Sequence, residues 1–242
     1  MNIRLHNLRI LLTLGLFIHV HADDLQDSSL SKTQETQENQ DQNIRDKYVF
    51  FWLISEDASA DMSNVDKSCF SQWYPSQFEI CGVTFLNAEQ FMMYCKAMCF
   101  NDTGSARAIL ETTDPAEIKK LGRGVQTFNI PAWARVAPYF VTLGNIEKFR
   151  QNPLLKEFLM STDDKILVEA SPYDKIWGIG LREEDPRVTD ETQWQGRNQL
   201  GKILMSVRGK LRTDENPCQN LLNRHGDIIE LIHYIRENKR LE

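Results

Sequence analysis

The 242-residue sequence has few cysteines and no excess of basic residues. Its five cysteines are an odd number and too few for a disulfide scaffold, although a Cys69–Cys81 pair is feasible. Because neither a C-x-x-C nor an H-x-x-x-H spacing occurs, we expect no zinc site. We also expect no other cofactor. The formal net charge of -6 argues against a general nucleic-acid groove, which needs clustered positive charge. A small anionic ligand needs only a local basic group or a helix N-terminus.

Long apolar runs are also absent beyond the first residues. The apolar run at residues 10–20 follows Arg4 and Arg9 and leads into the small-residue pattern V-H-A, which ends at Ala22. This pattern predicts a secretory signal peptide at residues 1–22, with an uncleaved N-terminal anchor as the alternative. The run is shorter than a membrane-spanning helix requires. We therefore expect secretion or residence in the secretory pathway, without stable membrane association after signal cleavage.

Residues 23–46 lack aromatic side chains and contain seven acids against two bases. Such a segment cannot bury enough apolar surface to offset the entropy of ordering, so it is predicted to be a disordered acidic linker. The domain follows at residues 47–213, and residues 214–242 form a C-terminal helical extension. The apolar residues of that extension favour a helix that packs on the domain, or one that binds a partner weakly.

Hydrophobic periodicity predicts an α+β fold, mainly helical, with a small antiparallel sheet. Tyr48–Ile54 has the composition of a strand, and Phe78–Phe85 that of a strand pair or a bent strand, with Gly82 as the turn or bulge. Asn87 is predicted to cap the next helix, with Gln90 as its capping-box partner. Further helices are predicted at about residues 104–112, from Pro115, at 132–143, 144–151, 153–161 and 199–211, with a short strand at 166–169.

Glu89 and Lys96 lie seven residues apart on this capped helix, so they share one face, with Met92 or Met93 between them. Glu89 also lies in the first turn, where the helix dipole favours its anionic form. Two interpretations remain open at this point: both are solvent-exposed helix charges, or both face a bound ligand.

A second polar region combines carboxylates with an indole. Glu169 and Asp174 lie close in sequence to Trp177, an arrangement suited to a cationic or sugar-like transition state or to a structured loop capped by Asp174. Asn198 immediately precedes a long amphipathic helix, which predicts a phosphate-binding N-terminus or an ordinary helix start. Arg123 lies in a glycine-flanked turn.

Taken as a set, these stretches resemble the NADAR family, also called YbiA-like N-glycosidases, over about Tyr48–Leu211. The motifs that carry the resemblance are F-S-Q-W-Y-P-S-Q-F, N-A-E-Q-F-M-M-Y-C-K-A, L-G-R-G-V, W-A-R-V-A, K-F-R-Q-N, V-E-A-S-P-Y-D-K-I-W-G-I-G and G-R-N-Q-L-G-K-I-L-M-S-V-R. The resemblance implies a compact YbiA-like domain that hydrolyses the bond between a ribose and a base or amine. Gln72 differs from the asparagine common at its position in the family.

The resemblance also implies the site. Its catalytic residues would be Glu89, Lys96 and Asp174, and its substrate-binding residues Ser71, Arg123, Trp133, Trp177, Gly178 and Asn198. A carboxylate would stabilise positive charge at the anomeric carbon or align water. Lys96 would protonate or orient the leaving group, or would attack the sugar and form a Schiff base. Trp133 would stack on a base, while Arg123 and the region around Asn198 would contact phosphates.

The function implied by the resemblance is hydrolysis of ADP-ribosyl or ribosyl-amine substrates, for example ADP-ribose on guanine. Its partner would be an ADP-ribosylated or ribosylated nucleotide, including ADP-ribosylated nucleic acid. The signal peptide favours an alternative, a secreted NAD- or ADP-ribose-binding module without turnover. A third interpretation is an extracellular interaction protein that uses its C-terminal helix.

Overall fold

The computed structural model describes residues 39–55, 65–213, 216 and 218–241. The chain divides into two units, the first ending at Lys47 and the second beginning at Tyr48. In the first unit, helix α1 spans residues 39–45, and the Gln42 side chain donates a hydrogen bond of 2.7 Å to the Asp46 carboxylate. The sequence predicts a disordered linker over residues 23–46, but residues 39–45 form this helix. The predicted signal peptide and residues 23–38 of the linker lie outside the described residues.

The second unit is mainly helical, and the predicted α+β class is confirmed. Its strands are β1 (Tyr48–Phe51), β2 (Phe78–Ile80), β3 (Val83–Phe85) and β4 (Ile166–Glu169). Its α-helices are α2 (Ala88–Cys99), α3 (Thr103–Glu111), α4 (Pro115–Arg123), α5 (Ile130–Gln151), α6 (Pro153–Ser161), α7 (Gln199–Leu211), α8 (Gln219–Arg224) and α9 (Ile228–Asn238). Short 3-10 helices occur at Lys67–Phe70 and Glu191–Gln193.

The strands form two separate pairs within the described chain. Strands β2 and β3 form the predicted antiparallel hairpin, and its two turn residues, Cys81 and Gly82, have φ values of 48° and 77°. Strands β1 and β4 pair in parallel, with Phe51 opposite Glu169. The prediction of an antiparallel sheet is therefore wrong for this pair, whose strands are joined by the long helical region that a parallel crossover requires. Parallel pairing brings the ends of both strands to the same edge, where the cavity described below opens.

Helix α2 is the centre of the core, because every residue in it except Met98 is buried. It packs against α3, α4, α5 and α9. The predicted cap is confirmed, since the Asn87 side chain accepts a hydrogen bond of 2.9 Å from the backbone N–H of Gln90. The Gln90 side chain accepts from Leu86 N–H and donates to the carbonyl of Ile109, so it anchors two neighbouring segments and does not return to Asn87.

The C-terminal extension packs on the domain through α9, which contacts α2 and α5. Its buried residues Ile228, Leu231, Ile232 and Ile235 lie at helical spacing. No described helix is long and apolar enough to span a bilayer.

All five cysteines are free thiols. The feasible Cys69–Cys81 pair does not form. The Cys81 thiol donates instead to the carbonyl of His225, at 3.0 Å, and Cys69 is fully buried in a 3-10 helix.

Candidate active site

A cavity of about 500 Å³ opens where β1 and β4 end, and one face of α2 forms part of its wall. Its aromatic lining residues are Trp52, Trp73, Tyr173 and Trp177. Its charged lining residues are the acids Glu89, Glu169 and Asp174 and the bases Lys96, Lys119 and Arg123. The cavity therefore offers both acidic and basic groups to different points of one ligand.

Glu89 lies in the first turn of α2 and is 7% exposed. Its backbone N–H donates to the carbonyl of Gln72 at 2.9 Å, which joins the helix start to the segment that follows the first 3-10 helix. Burial raises the pKa of the Glu89 carboxyl to about 7, and the positive charge of Lys119 opposes that rise. A carboxyl with a pKa near neutrality can exchange a proton during a reaction.

Lys96 lies two turns further along the same face and is 8% exposed. Its ammonium group donates a hydrogen bond of 2.7 Å to the carbonyl of Gly122 and lies 3.8 Å from the centre of the Phe128 ring. Burial lowers its pKa, while the negative charge of Glu89 opposes this effect. Glu89 and Lys96 therefore line one cavity, and the interpretation of both as solvent-exposed helix charges is wrong.

Asp174 caps its own loop, as its sequence context suggested, and it also lines the cavity. One of its carboxylate oxygens accepts hydrogen bonds of 2.7 Å from the backbone N–H groups of Ile176 and Trp177, so Asp174 shapes its own loop. The same side chain lines the cavity beside Trp177. Gly178 does not line the cavity. A Cβ atom there would lie 2.8 Å from the carbonyl oxygen of Glu169, so this glycine allows the loop to approach β4 closely.

Asn198 supports the site from outside the cavity. It is 1% exposed and has a φ of 49°. Its side chain accepts a hydrogen bond of 3.0 Å from Glu169 N–H and donates one of 2.9 Å to the carbonyl of Leu167. The prediction that Asn198 contacts phosphate is not supported by this geometry, because its side chain is committed to the backbone of β4.

Trp133, like Gly178 and Asn198, is a predicted site residue that the structure does not place in the cavity wall. Its ring stacks on Phe140, with centroids 5.9 Å apart and planes 12° apart. Of the predicted site residues, Glu89, Lys96, Asp174, Ser71, Arg123 and Trp177 do line the cavity. Gln72 lines it as well, and its buried side-chain carbonyl oxygen has no hydrogen-bond partner in the described chain.

The site prediction omitted several lining residues, most clearly Glu169 and Lys119. One oxygen of Glu169 is buried without a hydrogen-bond partner, and burial raises the pKa of this carboxyl to about 8. Lys119 lies four residues before Arg123, so their spacing on α4 could have indicated a shared face. The ammonium of Lys119 lies 4.8 Å from the centre of the Trp73 ring.

Sequence comparison identifies the class of protein that this domain represents. The chain belongs to the NADAR domain family, whose model matches residues 54–212.

Among its relatives, N-glycosidase R617 of Acanthamoeba polyphaga mimivirus is 42% identical over 168 residues, which cover 67% of this chain and 95% of that protein. Protein irg-1 of Caenorhabditis elegans is 38% identical over 160 residues, covering 60% and 76%. N-glycosidase YbiA of Escherichia coli K12 is 25% identical over 172 residues, covering 71% and 93%.

The fold is similar to the NMR structure of the E. coli protein YbiA. The TM-score is 0.54 at 24% sequence identity, covering 70% of this chain and 87% of that one. This similarity supports the YbiA-like fold. The names of the sequence relatives point to hydrolases that cleave N-glycosidic bonds.

Proposed function

We propose that this chain is an N-glycosidase that hydrolyses the bond between ribose and a base or amine in ADP-ribosyl or ribosyl-amine substrates. The observation that carries the proposal is the burial of Glu89 and Lys96 in the wall of one aromatic-lined cavity. Buried charged side chains are unfavourable unless they are paired or functional, and perturbed pKa values cluster at active sites. The N-glycosidase names of two relatives support the same reaction class.

Glu89 would act at the anomeric carbon. Breaking a ribosyl C–N bond develops positive charge on the sugar, and an adjacent carboxylate stabilises that charge. Among the described groups, no side chain donates a hydrogen bond to the Glu89 carboxylate, so it is available to a sugar or to the attacking water. With a pKa of about 7, it can also accept the proton of that water.

Lys96 supports two routes. In the first, its ammonium group orients the substrate or the leaving group. In the second, the neutral amine attacks the anomeric carbon and holds the opened sugar as a Schiff base. Burial favours the neutral amine, whereas contact with the Phe128 ring favours the cation. Reductive trapping with borohydride followed by mass spectrometry separates the routes, because only the second leaves a sugar attached to Lys96.

The remaining cavity residues would bind the nucleotide. Trp177 and other aromatic rings offer faces for a base, and Arg123 and Lys119 offer positive charge to phosphates. Ser71 offers a hydroxyl in the cavity lining. A substrate in this proposal is a nucleotide that carries ribose on a base or amine, either free or within ADP-ribosylated nucleic acid.

The direct test is a substrate panel. The purified protein is incubated with ADP-ribosylated guanine nucleic acid and with ribosylated nucleotide amines, and released products are separated by chromatography. We expect cleavage of at least one substrate, and losses of roughly 100-fold or more in Glu89→Gln and Lys96→Ala. The exposed residues Glu157 and Lys210 provide matched controls as Glu157→Gln and Lys210→Ala. The proposal fails if folded wild-type protein releases nothing from any substrate.

A non-catalytic NAD- or ADP-ribose-binding module is the second candidate, favoured by the signal-like N-terminus, which would separate the protein from intracellular nucleotides. Tight binding in calorimetry without product formation would support it. Secretion itself is a proposal, tested by expressing the full chain in its host cells and assaying cells and medium. Retention of uncleaved protein in the cytosol would contradict it.

A further inference from the structure

Glu169 is a half-buried acid whose role is not explained by the proposed actions of Glu89 and Lys96. It is the last residue of β4, and its backbone is held on both sides. Its N–H donates to the side chain of Asn198 at 3.0 Å, and its carbonyl accepts from the N–H of Ile179 at 2.9 Å. These bonds fix the backbone of Glu169 at the end of a paired strand, where its carboxyl group lines the cavity.

The carboxyl group itself is unpartnered. Its Oε2 atom is buried and makes no hydrogen bond to any described residue. A structural glutamate normally satisfies its oxygens with donors, because leaving a buried polar atom unpaired is unfavourable. A carboxyl group that lines a cavity and keeps one oxygen without a hydrogen bond is therefore arranged for a ligand.

The charges around Glu169 come from three elements of the cavity. Helix α2 contributes Glu89 and Lys96, helix α4 contributes Lys119 and Arg123, and the loop after β4 contributes Asp174. Burial is the largest cause that raises the pKa of Glu169 to about 8, followed by the negative charges of Asp174 and Glu89, with Lys119 acting in the opposite direction.

The pKa of Glu89 is raised only to about 7. Because the negative charge of Glu89 raises the pKa of Glu169, the pair loses its two protons in separate steps, and one carboxyl keeps its proton while the other is ionised. Two carboxyl groups with separated pKa values can serve as acid and base in one site.

We propose that Glu169 is a further catalytic residue, the acid that gives its proton to the departing nitrogen; this inference rests on the proposed N-glycosidase function. In the step, the C–N bond breaks, its electron pair goes to nitrogen, and the proton of Glu169 goes to that nitrogen. The oxygen of water bonds to the anomeric carbon, and the proton lost by water goes to Glu89. Transfer of one proton from Glu89 to Glu169, directly or through solvent, restores both groups. The net reaction consumes one water.

Glu169→Gln tests this role because glutamine keeps the size and cannot donate a carboxyl proton. We expect kcat/KM to fall by roughly 100-fold or more, which is typical for loss of a general acid. The wild-type rate should decline as pH rises through about 8, and this basic limb should disappear in the variant. Thermal stability should not fall, because Oε2 loses no hydrogen bond.

The exposed Glu157→Gln serves as the matched control and should keep both the rate and the basic limb. A Glu169→Gln variant with a rate within about threefold of wild type, or with the basic limb intact, would overturn the inference.

A second measurement separates this inference from the proposed function. Infrared difference spectra of substrate-free protein, wild type minus Glu169→Gln, should show the carbonyl band of a protonated carboxylic acid near pH 7, and the band should vanish above about pH 8. Absence of this band would overturn the role of Glu169 whatever the activity. Presence of the band together with no cleavage of any substrate would instead contradict the proposed function.

Discussion

Replacing Glu89 by glutamine should stabilise the protein at neutral pH and above, and should have little effect at mildly acidic pH. The folded state raises the pKa of this carboxyl from its ordinary value of 4.5 to about 7, chiefly through burial. The unfolded chain therefore releases this proton at lower pH than the folded chain does. Stability that depends on the protonated carboxyl is complete below pH 4.5 and is lost as pH rises through 7.

The magnitude follows from the two pKa values. Each pH unit between them corresponds to about 1.4 kcal/mol, so ionising Glu89 within the fold costs up to about 3 kcal/mol. Glutamine carries no charge and avoids this cost. For a domain of this size, about 3 kcal/mol corresponds to a rise in Tm of roughly 6–12 °C.

The assay is urea unfolding followed by tryptophan fluorescence at several values between pH 4.5 and 8, for wild type, Glu89→Gln and the exposed control Glu157→Gln. The free energy of unfolding of Glu89→Gln minus that of wild type should be smallest at pH 4.5 and should grow toward pH 8. Glu157→Gln should show a small and constant difference. A pH-independent difference for Glu89→Gln, or a loss of stability at pH 8, would refute the reasoning about burial.

Three further substitutions, two of them paired with a control variant, test the packing that supports the site. Gly201→Ala should destabilise the protein by about 1–3 kcal/mol or more, because its Cβ would lie 2.0 Å from a carbonyl oxygen of β4. Gly209→Ala in the same helix is the control. Its Cβ meets nothing within 4 Å, so this change should stabilise the protein by about 0.5–1 kcal/mol. Thermal unfolding compares the two variants, and equal Tm values would contradict the predicted contact. Ile235→Ala should lower the free energy of unfolding by about 2–5 kcal/mol, whereas the 44% exposed Ile229→Ala should change it little. A C-terminal helix that tolerates both changes in urea unfolding would not be part of the core. Lys148→Met removes two hydrogen bonds, of 2.7 and 2.8 Å, to the carbonyls of Cys69 and Ser71 in the segment that enters the cavity. It should lower the free energy of unfolding by about 2 kcal/mol and raise KM. An unchanged KM would exclude this positioning role.

Local rules in the sequence predicted the start of α2 correctly. Asn87 caps the helix because its side chain can reach the N–H of Gln90, a contact set by three residues of spacing. The hairpin at Gly82 follows from the same kind of local preference, since glycine accepts positive φ. These features depend on neighbours in sequence, so the sequence contains the information needed to predict them.

Local rules could not predict the pairing of strands that are far apart in sequence. Nothing within Tyr48–Phe51 or Ile166–Glu169 indicates that the two strands lie side by side in parallel, because over a hundred residues separate them. The burial of α2 on nearly all sides likewise depends on four other helices. Without that burial, the spacing of Glu89 and Lys96 could show only that they share a face.

The predicted site residues fall into two groups, those that line the cavity and those that do not. The resemblance to NADAR proteins placed Glu89, Lys96 and Asp174 in one site, and the structure brings them to one cavity. It also suggested Trp133 and Asn198, whose side chains instead stack on Phe140 and bind the β4 backbone. Motifs indicate which positions matter, but only the folded geometry distinguishes ligand contacts from supports.

The central claim is that Glu89 acts on a ribosyl C–N bond in this cavity. Its most direct test is chromatography of products released from ADP-ribosylated guanine nucleic acid and ribosylated nucleotide amines by wild type and by Glu89→Gln, with folding of both checked by circular dichroism. We expect a free base or amine and a released sugar product with wild type, and almost none with the variant. Intact substrate with wild type, or equal release by both proteins, would contradict it.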